Sequence, residues 1–244
     1  MDLHDGFLDI HCHILPGIDD GARNLEQAKE MFETAYEEGI RTIIVTPHNY
    51  VSHKSASPDI IRGSIQELEA HLKEWEIPIL LHAGNEVFYR SGVADLLDEK
   101  RVLTLADSRY VLVEFDTYVE YSYLRDGLNE LARYGFFPVI AHAERYDCLF
   151  EKKERIRDLN NSGVYFQVNA SSFLEKWGSE YKKRSKVLLK EGVIDLIGTD
   201  AHSNRSRAPK IARCAEYLVK KMGKEHAEKI LFQNPQNVLQ DKRI

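Results

Sequence analysis

Eight side chains spread along most of this 244-residue chain are of the types that hold divalent cations. His11 and His13 form an H-x-H pair at the end of an apolar run. His48, Glu86, Glu114 and His142 each follow or close a further run, and Asp200 and His202 form a D-x-H pair at the end of the last one. Imidazole and carboxylate together suit Zn²⁺, Mn²⁺, Fe²⁺ or Ni²⁺, and without a cysteine cluster a structural thiolate site is disfavoured. Two residues two apart on a strand leave by the same face, so His11 and His13 make a bidentate lip for one ion while Cys12 points away. A carboxylate such as Glu86 can bridge two ions, and two ions about 4 Å apart clamp a hydroxide between them. Any one of these histidines alone would more often be a hydrogen-bonded rim residue; the set as a whole reads as a metal site. His4, His53, His71, His82 and His226 do not share the placement and read as solvated or packed, with His53 in a loop.

The elements that must position these residues alternate. Short β-branched runs fall at Phe7–His13, Thr42–Pro47, Ile79–Val87, Tyr110–Phe115, Phe137–Ala143, Val164–Ala170 and Val193–Asp200. Stretches of helical spacing lie between them: Leu25–Glu38 places Ala28, Met31, Phe32 and Ala35 on one face, and Pro58–Trp75 does the same with Ile61, Ile65, Leu68 and Leu72. Tyr123–Tyr134, Glu151–Asn161, Lys182–Lys190 and Pro209–Met222 follow. Gly39, Gly135, Gly163 and Gly192 fall where a glycine after a helix belongs. Repeated strand-then-helix units mean parallel strands with right-handed crossovers. Seven units predict a distorted (β/α)7 TIM-like barrel, with an open doubly wound sheet as the alternative. Residues 1–244 read as a single domain, and Val51–Pro58 as a loop. In a parallel barrel all the candidate ligands fall on the C-terminal rim, where such folds build their sites. Asn169 occupies the matching place on the sixth strand.

Composition sets the outer limits. Thirty-three basic against 39 acidic residues give a net charge of −6, which argues against a nucleic-acid or anionic-membrane binder. Three cysteines without C-x-x-C spacing give no disulfide framework and point to a reducing, cytoplasmic compartment. No signal peptide and no apolar run long enough to span a membrane are seen, so no membrane insertion is expected. Arg145 and Arg207 emerge from the same rim as the ligands and suit a phosphate clamp; Arg205 reads as solvated, and Arg23 is a weaker candidate. No cysteine is followed by arginine at C-x5-R spacing, and there is no P-loop, no G-x-S-x-G elbow and no H-E-x-x-H.

The motifs D-x-H-x-H (Asp9, His11, His13), T-x-H (Thr46, His48) and D-x-H (Asp200, His202) resemble the polymerase-and-histidinol-phosphatase (PHP) superfamily. HCHILPGIDDGA at 11–22, DSRYVLVEF at 107–115, PVIAHAERYD at 138–147 and GTDAHSNRSRAP at 198–209 are similar to the bacterial capsule-type tyrosine phosphatases. That resemblance runs through nearly the whole chain. It implies a seven-stranded barrel with two or three divalent ions, manganese first among iron, zinc, nickel and magnesium. Carried over by motif, His11, His13, Glu86 and Asp200 would hold the first ion, and Glu86, Glu114 and His142 the second. Asp20, His48 and His202 would hold the third, with Asp20 chosen over Asp19 by position. Arg145 and Arg207 match the family's phosphate-binding arginines.

The activity so implied is hydrolysis of phosphotyrosine in proteins by a metal-activated hydroxide, the partner being an autophosphorylating bacterial tyrosine kinase of capsule or exopolysaccharide synthesis. A small-molecule phosphatase acting on a metabolite such as histidinol phosphate would use the same ions. A metal-binding adaptor docking on a kinase without turnover is the reading from another class.

Overall fold

The structure is a computed structural model that describes residues 6–50, 55–176 and 178–244. The elements run β1 (Phe7–Cys12), α1 (Leu25–Glu37), β2 (Ile40–Val45), β3 (His48–Asn49), α2 (Pro58–Glu74), β4 (Leu80–Ala83), β5 (Glu86–Phe88), α3 (Val93–Asp98), β6 (Tyr110–Glu114) and α4 (Tyr121–Arg133). They continue as β7 (Phe137–Ile140), α5 (Asp147–Phe150), α6 (Lys153–Asn161), β8 (Tyr165–Asn169), α7 (Glu180–Glu191), β9 (Ile194–Gly198), α8 (Ala212–Met222), α9 (Lys224–Glu228) and α10 (Asn234–Leu239). Every strand pairing is parallel.

The strands form two sheets, ordered β1-β2-β4 and β3-β5-β6-β7-β8-β9. The short β3 follows the second expected run and the third run is split into β4 and β5, so seven expected strands appear as nine segments among the described residues. Thr46 and Pro47 separate β2 from β3, and proline brings no N–H to a ladder. Gly84 and Asn85 separate β4 from β5; the Asn85 amide donates to Pro47 O at 2.9 Å and accepts from Leu103 N at 3.0 Å. The side chain thus takes over backbone groups that a continuous ladder would have paired. Beyond β9 the chain returns to β1: Asp200 N donates to His11 O at 2.8 Å and His13 N to Ala201 O at 2.9 Å.

Helix formation follows the apolar spacing. Asn24 caps α1 by accepting from Gln27 N, and α1 buries Ala28, Met31, Phe32 and Ala35. Ser57 caps α2, Pro58 takes its first turn, and Ile61, Ile65, Leu68 and Leu72 are buried. Gly39, Gly135, Gly163 and Gly192 all take positive φ after their helices. The short helices α3, α5, α9 and α10 were not expected; none has a side-chain cap, and the longest is six residues, too short to show a period.

Two apolar layers result. Leu8, Ile10, Leu112, Val139 and Leu196 form a small inner cluster, and a larger one lies between the strands and the helices. Leu8 and Ile10 face inward, yet Cys12, of the same parity, belongs to the outer layer. The β1–β2 register shifts between Asp9 and Cys12. That irregularity turns His11 and His13 to the inside.

Asp195, half-buried at the start of β9, accepts from Phe166 N at 2.9 Å, and burial pushes its carboxyl up to about 6. A carboxyl raised on folding binds its proton more tightly in the native state, so its ionisation costs stability as pH rises from about 4 through 6. Asp195→Asn keeps the acceptor and removes that cost. Thermal melts of D195N should show a gain of about 1–2 kcal/mol at pH 7.5, a few degrees in Tm, that vanishes near pH 4. An unchanged or lowered Tm at pH 7.5 would refute it.

Candidate metal centre

Nine side chains meet where the strands end. Three overlapping groups offer ligand atoms that all lie within 4.8 Å of one another: His11, His13, Glu86 and Asp200; His13, Asp20, His48 and His202; and His48, Glu86 and Glu114. The first matches the expected set. The other two depart from it: His13 joins the third set, and His48 stands with Glu86 and Glu114 where His142 was expected. His142 is nonetheless close, its Nε2 2.8 Å from Glu86 Oε1 and 3.8 Å from Glu114 Oε2.

Glu86 sits at the middle, fully buried. Its Oε2 has His11 Nε2 and His13 Nε2 each at 3.2 Å and His48 Nδ1 at 3.1 Å. None of these makes a hydrogen bond to it, and the buried His202 Nε2 and His142 Nδ1 have no hydrogen-bond partner either. His11 Nε2 and His13 Nε2 approach each other to 3.2 Å. A buried carboxylate oxygen and two buried imidazole nitrogens left without hydrogen-bond partners, amid lone-pair atoms crowded around one point, are what a set of metal ligands presents, so the residues fit divalent ions.

Electrostatics reflect the crowding. Burial alone would push the Glu86 carboxyl up, but His11, His13 and His142 outweigh it and hold it well below the usual range. Burial would likewise lower His13; its hydrogen bond to Asp19 and the proximity of Glu86 raise it instead to about 10. His202 is brought down to about 4 by burial and by His13.

Backbone geometry aims the ligands. His142 (φ 34°) and Asp200 (φ 52°) both take left-handed conformations just beyond their strands, which His and Asp adopt more readily than most residues. At Gly198 a Cβ would lie 2.6 Å from His11 Cβ, so only glycine lets β9 pass beside the ligand; at Gly21 one would lie 2.0 Å from His13 O.

The two neighbouring aspartates differ in their contacts. Asp20 Oδ1 stands 3.4 Å from His48 Nε2 and 3.3 Å from His202 Nε2. Asp19 faces away from the shared centre. Its carboxylate meets His13 Nδ1 at 2.7 Å and accepts from Gly21 N at 2.9 Å and His48 N at 3.0 Å. Those bonds hold it down near 2, against the burial that would raise it. It holds His13 and the backbone of His48 and stands in none of the candidate groups.

Arg145 and Arg207 reach the same place, both ending on Asp200: Nη2 of Arg145 lies 2.8 Å from Oδ2 and Nη2 of Arg207 2.6 Å from Oδ1. Asn169 donates to Asp200 Oδ2 at 2.8 Å. Arg205 is exposed and Arg23 also lies at the surface. His71 on α2, His82 on β4 and His226 on α9 belong to none of the groups. His4, His53 and residues 51–54 of the expected loop fall outside the described residues.

Sequence reasoning missed the supports. Asp9 accepts from His11 N and Thr199 N, fastening β1 to the end of β9. Thr46 Oγ1 accepts from Cys12 N at 3.0 Å. Both stand in the D-x-H-x-H and T-x-H motifs, so the signal was present without its meaning. Gln167, on β8, lay outside every motif.

Fold and site together define a parallel α/β protein whose strand ends gather His, Asp and Glu side chains into candidate sites for divalent ions. A model of the family described as capsular polysaccharide synthesis, CpsB/CapC, matches residues 7–240, and the chain belongs to that family. It is 31% identical over 242 residues to the tyrosine-protein phosphatase CpsB of Streptococcus pneumoniae, covering 97% of this chain and 100% of the relative. It is also 31% identical over 237 residues to the tyrosine-protein phosphatase YwqE of Bacillus subtilis, covering 97% of this chain and 93% of the relative. A solved structure, from work on YwqE of B. subtilis and CpsB of S. pneumoniae described as unique metal-dependent tyrosine phosphatases, superimposes with a TM-score of 0.90 at 32% identity. The match covers 97% of this chain and 96% of that one.

The two aspartates should separate in stability. Asp19→Ala removes a largely buried carboxylate with three partners and is expected to cost about 2–4 kcal/mol in the metal-free chain. Asp20→Ala, with its side chain 66% exposed, should leave the metal-free Tm nearly unchanged while weakening Mn²⁺ binding. Paired melts with and without Mn²⁺ check this; equal losses for both variants would contradict the division of roles.

Proposed function

We propose that the chain is a metal-dependent protein-tyrosine phosphatase acting on a phosphotyrosine protein of capsule or exopolysaccharide synthesis. The observation that carries this is the convergence of His11, His13, Glu86 and Asp200, with His48, Glu114, His142, Asp20 and His202, on one end of the parallel strands beside two arginines. The nine residues are read as the metal ligands and Arg145 and Arg207 as the phosphate clamp. Family membership and relatives named as tyrosine phosphatases over nearly the full chain support the activity. The two sheets are read as one distorted seven-stranded barrel in a single domain, the hydrogen bonds from Asp200 N to His11 O and from His13 N to Ala201 O supporting that reading.

Two or three ions, manganese first, fit the donor set; when bound they bring a water towards a pKa near 7 and polarise the phosphoryl oxygens. The chain's own contribution is placement and charge. Arg145 and Arg207 present N–H groups from the loops after β7 and β9 and can turn from Asp200 to non-bridging oxygens, following the charge as it redistributes in the transition state. Tyrosine, with a reference pKa near 10, departs more readily than an aliphatic alcohol, so no nucleophilic side chain and no phosphoenzyme are needed. Cys12, Cys148 and Cys214 are buried and take no part. An autophosphorylating tyrosine kinase is the partner this reading favours, and the cytoplasm its compartment. Among the described residues no helix is long and apolar enough to cross a membrane.

Hydrolysis of a phosphotyrosine peptide should be abolished by chelation, restored by Mn²⁺ and untouched by thiol alkylation. Arg145→Ala and Arg207→Ala should each lower kcat/KM by about 10–100-fold. Full activity after exhaustive metal removal, or a higher kcat/KM on histidinol phosphate than on the peptide, would overturn the assignment.

A further inference from the structure

Among the described residues β8 is the one strand of the six-stranded sheet that ends without a candidate metal ligand, and its end is instead occupied by two fully buried amides, Gln167 and Asn169. Gln167 Oε1 lies 2.7 Å from His142 N and 3.1 Å from His11 Nδ1. A backbone N–H can only donate, so this atom of the Gln167 amide must be its oxygen. Its nitrogen then donates to Asn169 Oδ1 at 2.9 Å, and Asn169 Nδ2 donates to Asp200 Oδ2 at 2.8 Å. The direction of every bond in the chain is thereby fixed by one peptide group. An acceptor opposite His11 Nδ1 requires that nitrogen to carry the proton.

We infer that Gln167 is a positioning residue that locks His11 in its Nδ1–H tautomer, so that Nε2 faces the shared centre with a free lone pair, and that through Asn169 it also holds the Asp200 carboxylate. The inference rests on the metal-site reading above. It adds that three ligands from three strands, His11, His142 and Asp200, are aligned by a single neutral side chain on a fourth. Ligand histidines generally need a partner of this kind on the second nitrogen, and losing it costs about 10–100-fold in metal affinity. A neutral amide suits a centre already crowded with carboxylates, because it orients without adding charge.

Two variants separate positioning from packing. Gln167→Met fills similar volume and removes both polar functions. Gln167→Glu keeps an acceptor for His142 N and His11 Nδ1–H, loses the donor to Asn169 and adds a negative charge. Calorimetric titration with Mn²⁺ should show affinity falling by about 10–100-fold in Q167M and by much less in Q167E. In ¹⁵N spectra of the Zn²⁺-loaded chain, which is diamagnetic, His11 should show a protected Nδ1–H in the parent and in Q167E, and lose that protection in Q167M. Parent-like Mn²⁺ affinity in Q167M, His11 metallated through Nδ1, or Q167E failing as badly as Q167M would overturn the inference. If Q167M does not fold, the parent spectrum and Q167E still decide it. Neither readout uses phosphate hydrolysis: a chain that binds Mn²⁺ through His11 Nε2 but leaves phosphotyrosine intact would sink the phosphatase reading and leave this one standing.

Discussion

The fully buried carboxylate of Glu86 is the constraint around which the rest of the molecule is arranged. An ionised carboxylate out of water is tolerated only when charges or donors surround it. Here they come from different elements: His142 on one oxygen, and His11, His13 and His48 on the other. No local segment could supply that set. It needs parallel strands ending at one level, with β5 in register beside β3 so that His48 lies opposite Glu86. The breaks at Thr46–Pro47 and Gly84–Asn85 serve the same end. They let two strands leave the sheet of β1 and join the larger one, where their last residues meet the site.

The net charge of −6 takes on a different sense in this setting. Asp20, Glu86, Glu114 and Asp200 contribute four of the acidic residues, and all four stand in the candidate groups or against them. An acidic chain need not present an acidic mouth. Divalent ions invert the sign of the charge around their ligands, and Arg145 and Arg207 already sit at the edge of the centre. Histidines that hold protons against these carboxylates must release them to ligate, so metal binding and protonation compete for the same lone pairs.

How much could be read beforehand depended on whether the determinant is local. The faces of α1 and α2 were legible because 3.6-residue spacing is a property of one segment. That His11 and His13 share a face was legible from their spacing; that the face is the inner one was not, because alternation counted from Leu8 would have placed them outward and the register shift inside β1 is set by its partner strand. The same limit hid the left-handed turns at His142 and Asp200 and the regrouping of His48 with Glu86 and Glu114. Asp19 and Asp20 are adjacent in sequence yet make opposite contacts, because one points into the turn at Gly21 and the other across to His48 and His202.

The supporting residues are the hardest to find from sequence, and the reason is physical. A ligand must be one of few residue types, so its chemistry announces it. A residue that orients a ligand needs only an acceptor or donor at the right register, which Gln, Asn, Asp, Thr or a backbone group can each provide. Asn169 could be placed on the rim, but its bond to Asp200 depends on β8 lying beside β9 with Asn169 opposite Gly198. Gln167 carried no signal at all until the pairing of Gln167 with Leu196 set it under His11. Function in this centre is therefore specified twice: once by ligand types that survive in the sequence as motifs, and again by strand register, which decides what those ligands are made to face.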